Sequence, residues 1–173
     1  MIMEEMSIWE YPVAMAEVEP PVIIRCGVYL YQRTKKGCEL LKCDLKDPVI
    51  ALPDELDHRP VTVIGTGAMR HMDALEQVVL PEGLRRIGDY AFLGDERLTT
   101  VCIPAGTRRI GMHAFEGCTQ LRNVFVPPTV TEIGQNAFPD TEGLTLRGEM
   151  HSAIHRYAEE NGLFFIAASE PAA

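Results

Sequence analysis

The residues best suited to chemistry in this chain are two histidines, two cysteines and two pairs of arginines. His151 and His155 are four apart, a spacing that puts two side chains on one face of a helix and could hold a metal ion. No glutamate follows His151 in the zincin pattern and no third ligand is evident, so no metal is expected. Cys38 and Cys43 are separated by four residues rather than two, and no second pair follows. With Cys26, Cys102 and Cys118 they make an odd, irregularly spaced set, which is a poor disulfide or zinc framework. Small buried thiols are the simpler reading. Arg85 and Arg86 recur as Arg108 and Arg109. Four guanidiniums in adjacent units suit carboxylates or a sulfated or phosphorylated partner. The alternative is a solvated face with Glu82, Asp89 or Glu132 as counter-ions. No nucleophile elbow, P-loop or G-x-G-x-x-G occurs, and no close acidic pair recurs. No catalytic residue, no cofactor and no enzymatic activity are therefore expected.

The bulk properties narrow the partners. Net charge is −9 on 173 residues. The acids are spread evenly: 11 acidic and 7 basic side chains in residues 1–60, then 14 and 9 in 61–173. General binding to a nucleic-acid backbone needs clustered positive charge, so nucleic acid is not expected. No run of about 18 apolar residues exists, so membrane insertion is not expected either. The start, MIMEEMSIWEYP, has no basic region followed by an apolar one. The chain as given thus reads as cytoplasmic, or as secreted or surface-displayed if an export signal was removed.

The elements that must position these side chains are set by a repeat. Ile64, Ile87, Ile110 and Ile133 are 23 apart, and each is followed by glycine, at 65, 88, 111 and 134. Four residues after each isoleucine comes Ala68, Ala91, Ala114 or Ala137, then Met69, Phe92, Phe115 or Phe138. Leu75, Leu98 and Leu121, then Val78, Val101 and Val124, then Leu80, Ile103 and Val126 keep the same period, closed by Pro81, Pro104 and Pro127. The segment L-x-x-V-x-[ILV]-P reads as a short strand with alternate residues inward, ended by a proline that cannot donate to the ladder. A second extended piece ends at the isoleucine, and the glycine after it is read as permitting a turn. The Ala-Phe pair follows in a turn or single helical turn, the aromatic plugging the core. One unit buries too little apolar surface to stand alone, so units must stack as a solenoid.

The full pattern I-G-x-x-A-F-x-x-C-x-x-L-x-x-V-x-[IV]-P, from Ile110 to Pro127, resembles the BspA-type leucine-rich repeats of bacterial proteins. The stretch VIALPDELDHRPVTVIG from Val49 is similar to that family's opening coil. SAIHRYAEENGLFFIA from Ser152 is similar to its closing helix and strand. Upstream, VIIRCGVYLYQ and CELLKCDL flank T-K-K-G and read as a hairpin. Met69 departs from the family's phenylalanine, and the last coil reads as three residues short before Leu144. The resemblance implies binding, chiefly of proteins or surface glycans, and not catalysis.

The expected fold is mainly β with short helical turns: a right-handed leucine-rich-repeat solenoid of about five coils, with an N-terminal hairpin cap and a C-terminal helix–strand cap. Residues 1–48 would form the N-terminal segment and cap, 49–147 the solenoid, and 148–173 the C-terminal cap and tail. Trp9 and Tyr11 are candidates for an added edge strand. Ile154, Tyr157 and Ala158 would form the buried stripe of the closing helix, stopped by Asn161-Gly162. Outward residues of the first strand of each unit form one row: Gln77 and Val79, Thr100 and Cys102, Asn123 and Phe125, then Thr145. This row, with Phe125 read as exposed beside Val79 and Cys102, is the expected surface for a protein partner. A polyanion at Arg85, Arg86, Arg108 and Arg109 is the alternative, and self-association through sheet edges is another.

Overall fold

The computed structural model describes residues 22–168. Trp9 and Tyr11 lie outside them. The chain opens with β1 (Ile23–Cys26), β2 (Tyr29–Thr34) and β3 (Gly37–Cys43), an antiparallel meander. The expected hairpin is β2–β3, turning at Lys35 and Lys36. VIIRCGVYLYQ is itself a second hairpin, because Gly27 takes φ 57° and folds β1 back onto β2. Next come β4 (Val49–Ala51), β5 (Glu55–Leu56) and β6 (Arg59–Ile64). β5 and β6 pair antiparallel across Asp57 and His58, both at positive φ, as a two-residue hairpin turn requires.

Each repeat then supplies two short strands. The pairs are β7 (Gln77–Val79) with β8 (Arg86–Ile87), β9 (Thr100–Cys102) with β10 (Arg109–Ile110), and β11 (Asn123–Phe125) with β12 (Glu132–Ile133). The end is β13 (Thr145–Gly148), α1 (Ala153–Asn161) and β14 (Phe164–Ala167). Two sheets result. The first runs β1-β2-β3-β6-β8-β10-β12 and is parallel from β3 onward; the second runs β14-β13-β11-β9-β7-β4 and is parallel throughout. The second sheet has six rungs, one more than expected, because β14 adds to it from beyond the helix.

The core is a set of vertical columns. Ile64, Ile87 and Ile110 from the first sheet and Val78, Val101 and Val124 from the second are buried together. Phe92, Phe115 and Phe138 lie in line, with ring centroids 5.0 and 5.4 Å apart and planes within 3° of parallel. A ladder of backbone bonds runs beside them: Met69 N–H donates to Ala91 O, Phe92 to Ala114 and Phe115 to Ala137, at 2.8–2.9 Å.

The repeated glycines serve a different purpose from the one expected. Gly88, Gly111 and Gly134 have no positive φ; that conformation falls two residues later, at Tyr90, His113 and Asn136. What excludes a side chain is the coil beneath. A Cβ on Gly88 would lie 2.7 Å from the carbonyl carbon of Gly65, on Gly111 2.5 Å from that of Gly88, and on Gly134 2.6 Å from that of Gly111. The isoleucine–glycine signal therefore marks a seam of backbone against backbone, with a left-handed residue of variable identity beside it.

The last coil is shortened, though differently from expectation. Leu144 keeps the 23-residue spacing from Leu121, and Thr145 rather than residue 146 pairs with Asn123. One residue is lost after Leu144. The helix then closes the array. Ile154, Tyr157 and Ala158 are its buried face, and Gly162 at φ 67° ends it, with Leu163 N–H donating to Ala158 O. The Tyr157 ring meets Phe138 edge-on at 5.7 Å. Its hydroxyl accepts from Phe138 N–H at 3.4 Å, taking the place of the alanine carbonyl that a further coil would supply. Tyr157→Phe should lower stability by about 1 kcal/mol and speed hydrogen exchange at the Phe138 amide. Unchanged protection of that amide would exclude the capping role.

Candidate functional site

The outer face of the second sheet is built by strand alternation. Val78, Val101, Val124 and Leu146 point inward and are buried. Their neighbours Gln77, Val79, Thr100, Cys102 and Asn123 are exposed, and Thr145 is half-buried. In-register pairing sets these in two columns: Gln77↔Thr100↔Asn123↔Thr145, and Cys102↔Phe125↔Arg147 with Val79 ahead of them. The expected row is thus brought together in space. Phe125, however, is only 9 % exposed. It is the largest side chain of its column and stands in register between Cys102 and Arg147. It forms the wall between two shallow depressions. One, of about 390 Å³, lies against Val79, Cys102, Pro104 and Ala105; the other, of about 470 Å³, lies against Thr100, Asn123, Arg147 and Ala168.

The face is longer than the repeats. Val49 and Ala51 on β4 stand in register with Gln77 and Val79, and Phe164 and Ile166 on β14 with Thr145 and Arg147. Val49, Val79, Phe164 and Ile166 are 56, 58, 65 and 37 % exposed. Repeat counting passes over β4 and β14 because they belong to the terminal segments. The short apolar runs VIA and FFIA are the signal that could have found them. Across all six strands the outward residues include no acid and a single cation, Arg147, in a chain that is 24 % charged.

The arginine pairs are also brought together, on the first sheet. Arg86 and Arg109 are in register, and Arg108 N–H donates to Arg85 O at 2.8 Å. The counter-ions differ in part from those expected. Arg109 meets Glu132 at 3.4 Å, but Arg86 meets Glu39 of β3 at 3.6 Å. Asp89 instead accepts from Met112 N–H at 3.0 Å. Arg85 Nη1 donates to the Gly106 carbonyl at 3.2 Å.

The two C-terminal histidines do not share a helix face. His151 precedes α1 with φ 63°, and its N–H donates to His155 Nδ1 at 3.1 Å. The pair is a local cap, with His155 Nε2 3.6 Å from Glu159. Cys38, Cys43 and Cys118 are buried, whereas Cys26 and Cys102 are exposed, so the buried-thiol reading holds for three of the five.

One buried group departs from the repeat. Asp95 occupies the position that Cys118 fills in the next coil, and it has no solvent exposure. Its Oδ1 accepts from Met72 N–H at 2.7 Å, while Oδ2 has no partner among the described residues. Burial, with some repulsion from Asp73, pushes its pKa up to about 8. Burial likewise pushes the Cys118 thiol up to about 12, which makes it a packing residue and not a nucleophile.

The profile of the BspA type leucine rich repeat region matches residues 42–154, in six copies. Among curated proteins, none matches the chain. Among solved structures, a leucine-rich-repeat protein of T. pallidum is 27 % identical, with 72 % of this chain and 70 % of that one covered and a TM-score of 0.56. One from Bacteroides capillosus is 24 % identical over 74 % of this chain and 99 % of its own, with a TM-score of 0.66. One from Bacteroides ovatus is 24 % identical over 84 % of this chain and 41 % of its own, with a TM-score of 0.61. Among the described residues, no helix is long and apolar enough to cross a membrane.

Proposed function

The chain belongs to the BspA-type leucine-rich-repeat family, and from that premise we propose that it is a non-catalytic binding module whose outer strand face receives a protein partner. The observation that carries this reading is the absence of acids from twelve outward positions on six adjacent strands, alongside exposed Val49, Val79, Phe164 and Ile166. Charge depletion at the centre of a surface patch is what distinguishes an interface from ordinary solvated surface.

The dimensions narrow the partner. Six strands at about 4.8 Å give a strip roughly 24 Å long, and three residues per strand make it about 10 Å wide. That is well below the roughly 800 Å² per side of a standard interface between folded domains. It matches one extended segment of about seven residues, lying across the strands. Its apolar side chains would enter the depressions on either side of Phe125, and the polar column from Gln77 to Thr145 would meet its backbone.

Phe125 is too buried to be a clean probe, because a charge there would also disturb packing. Val79→Asp is the better test. A partner recovered with the wild-type protein from its native extract should be lost with Val79→Asp or Ile166→Asp and kept with Arg109→Gln on the other sheet. Equal recovery by all of these proteins would overturn the reading.

A further inference from the structure

The first sheet carries a separate feature that the strip does not use. Lys35 and Lys36, at the tip of the β2–β3 hairpin, line a depression of about 310 Å³ together with Arg85, Arg86, Thr34 and Glu39. Four cations therefore face one acid, on a protein whose net charge is −9. The hairpin residues lie about fifty positions from the arginines in sequence, and only the β3–β6–β8 pairing brings them to one place.

We propose that this depression binds a compact oxyanion ester, a sulfate or phosphate group carried by a small ligand. Guanidinium forks and ammonium groups suit such an oxyanion, and the Thr34 hydroxyl is a further donor at the rim. The forks are partly held in place. Arg85 is anchored through the Gly106 carbonyl, and Glu39 holds Arg86 at 3.6 Å. Among the described residues, Lys35, Lys36 and Arg85 have no acidic partner within 4.0 Å.

The register limits the ligand's size. Along the sheet the in-register row reads Glu39, Val63, Arg86, Arg109, Glu132. An acid closes each end of the cationic stretch. A long polyanion running along the array would meet Glu39 at one end or Glu132 at the other. A single ester group, or two close together, fits between them.

The test uses the full chain and three probes at low salt, by titration calorimetry: a disulfated disaccharide, a sugar bisphosphate and a diglutamate peptide. One of the first two should bind and the peptide should bind much more weakly. Preference for the disulfated disaccharide identifies the source as a sulfated glycan; preference for the sugar bisphosphate identifies a phosphate ester. Arg85→Gln with Arg86→Gln should weaken the preferred probe about tenfold, and Lys35→Gln with Lys36→Gln similarly. Glu39→Gln should tighten it several-fold by releasing Arg86, a gain that damage to the fold would not produce. Val79→Asp should change nothing, which separates this site from the strand face. The proposal is overturned if neither ester probe binds, if the diglutamate peptide binds as tightly, or if the arginine and Glu39 substitutions leave affinity unchanged.

Discussion

Replacing Phe115 by alanine is expected to lower the stability of the folded protein by about 3–5 kcal/mol. Phe115 has no solvent exposure and is stacked on both sides, with Phe92 at 5.0 Å and Phe138 at 5.4 Å. Removing it leaves a ring-sized gap and breaks both aromatic contacts, each adding about 0.5–1.5 kcal/mol beyond the area buried. In a stacked array, stability is close to a sum of unit terms and nearest-neighbour terms, so the loss falls on two interfaces at once. Denaturant unfolding should show a lower midpoint. Hydrogen exchange should show the coils on the C-terminal side of Phe115 opening separately from those on the N-terminal side. A loss below about 1 kcal/mol would mean that the aromatic column is not the spine of the array.

Asp95→Asn is expected to stabilise the protein, and by an amount that grows with pH. The carboxyl titrates at an ordinary 3.8 in the unfolded chain and at about 8 in the folded one. Below pH 3.8 both states hold the proton and the group is neutral to folding. Between about pH 4 and 8 the unfolded chain ionises freely while the folded chain resists, so wild-type stability falls through that window. Above pH 8 the whole penalty is present, on the order of 4–6 kcal/mol. Asparagine keeps an acceptor for Met72 N–H and cannot ionise. Denaturant midpoints of the two proteins should lie close together near pH 4 and separate by pH 9, with the variant higher. Parallel curves across that range would show that Asp95 is hydrated or paired in solution.

The parts of this architecture legible in the sequence are those that stacking forces to repeat. Ile-Gly and Ala-Phe recur because each coil meets the same backbone and the same ring as the coil before, so the columns could be placed from spacing alone. The role of the glycine could not. A tight turn and a tight seam both select glycine, and only the position of the left-handed residue, two places later, separates them. The strand row was legible between Gln77 and Thr145, but its ends on β4 and β14 carry no repeat. Phe125 points outward by alternation yet is nearly buried, and one of its in-register neighbours, Arg147, comes from the shortened coil. The partner of Arg86 was hidden for a related reason: Glu39 comes from the hairpin, and sequence distance says nothing of their meeting. Asp95 was visible as a departure from Cys118, yet only its surroundings show that the exchange buries an ionisable group.

The hydroxyl that closes the array at Phe138 has a bearing on how such proteins vary. Tyr157 presents to the coil above it an oxygen where the next coil's alanine carbonyl would lie, and every earlier seam is closed by that same alanine. The terminus is thus indifferent to how many units precede it. Insertion or removal of one whole unit would leave both ends fitting as before, so the sheet can gain or lose a rung without a new terminus.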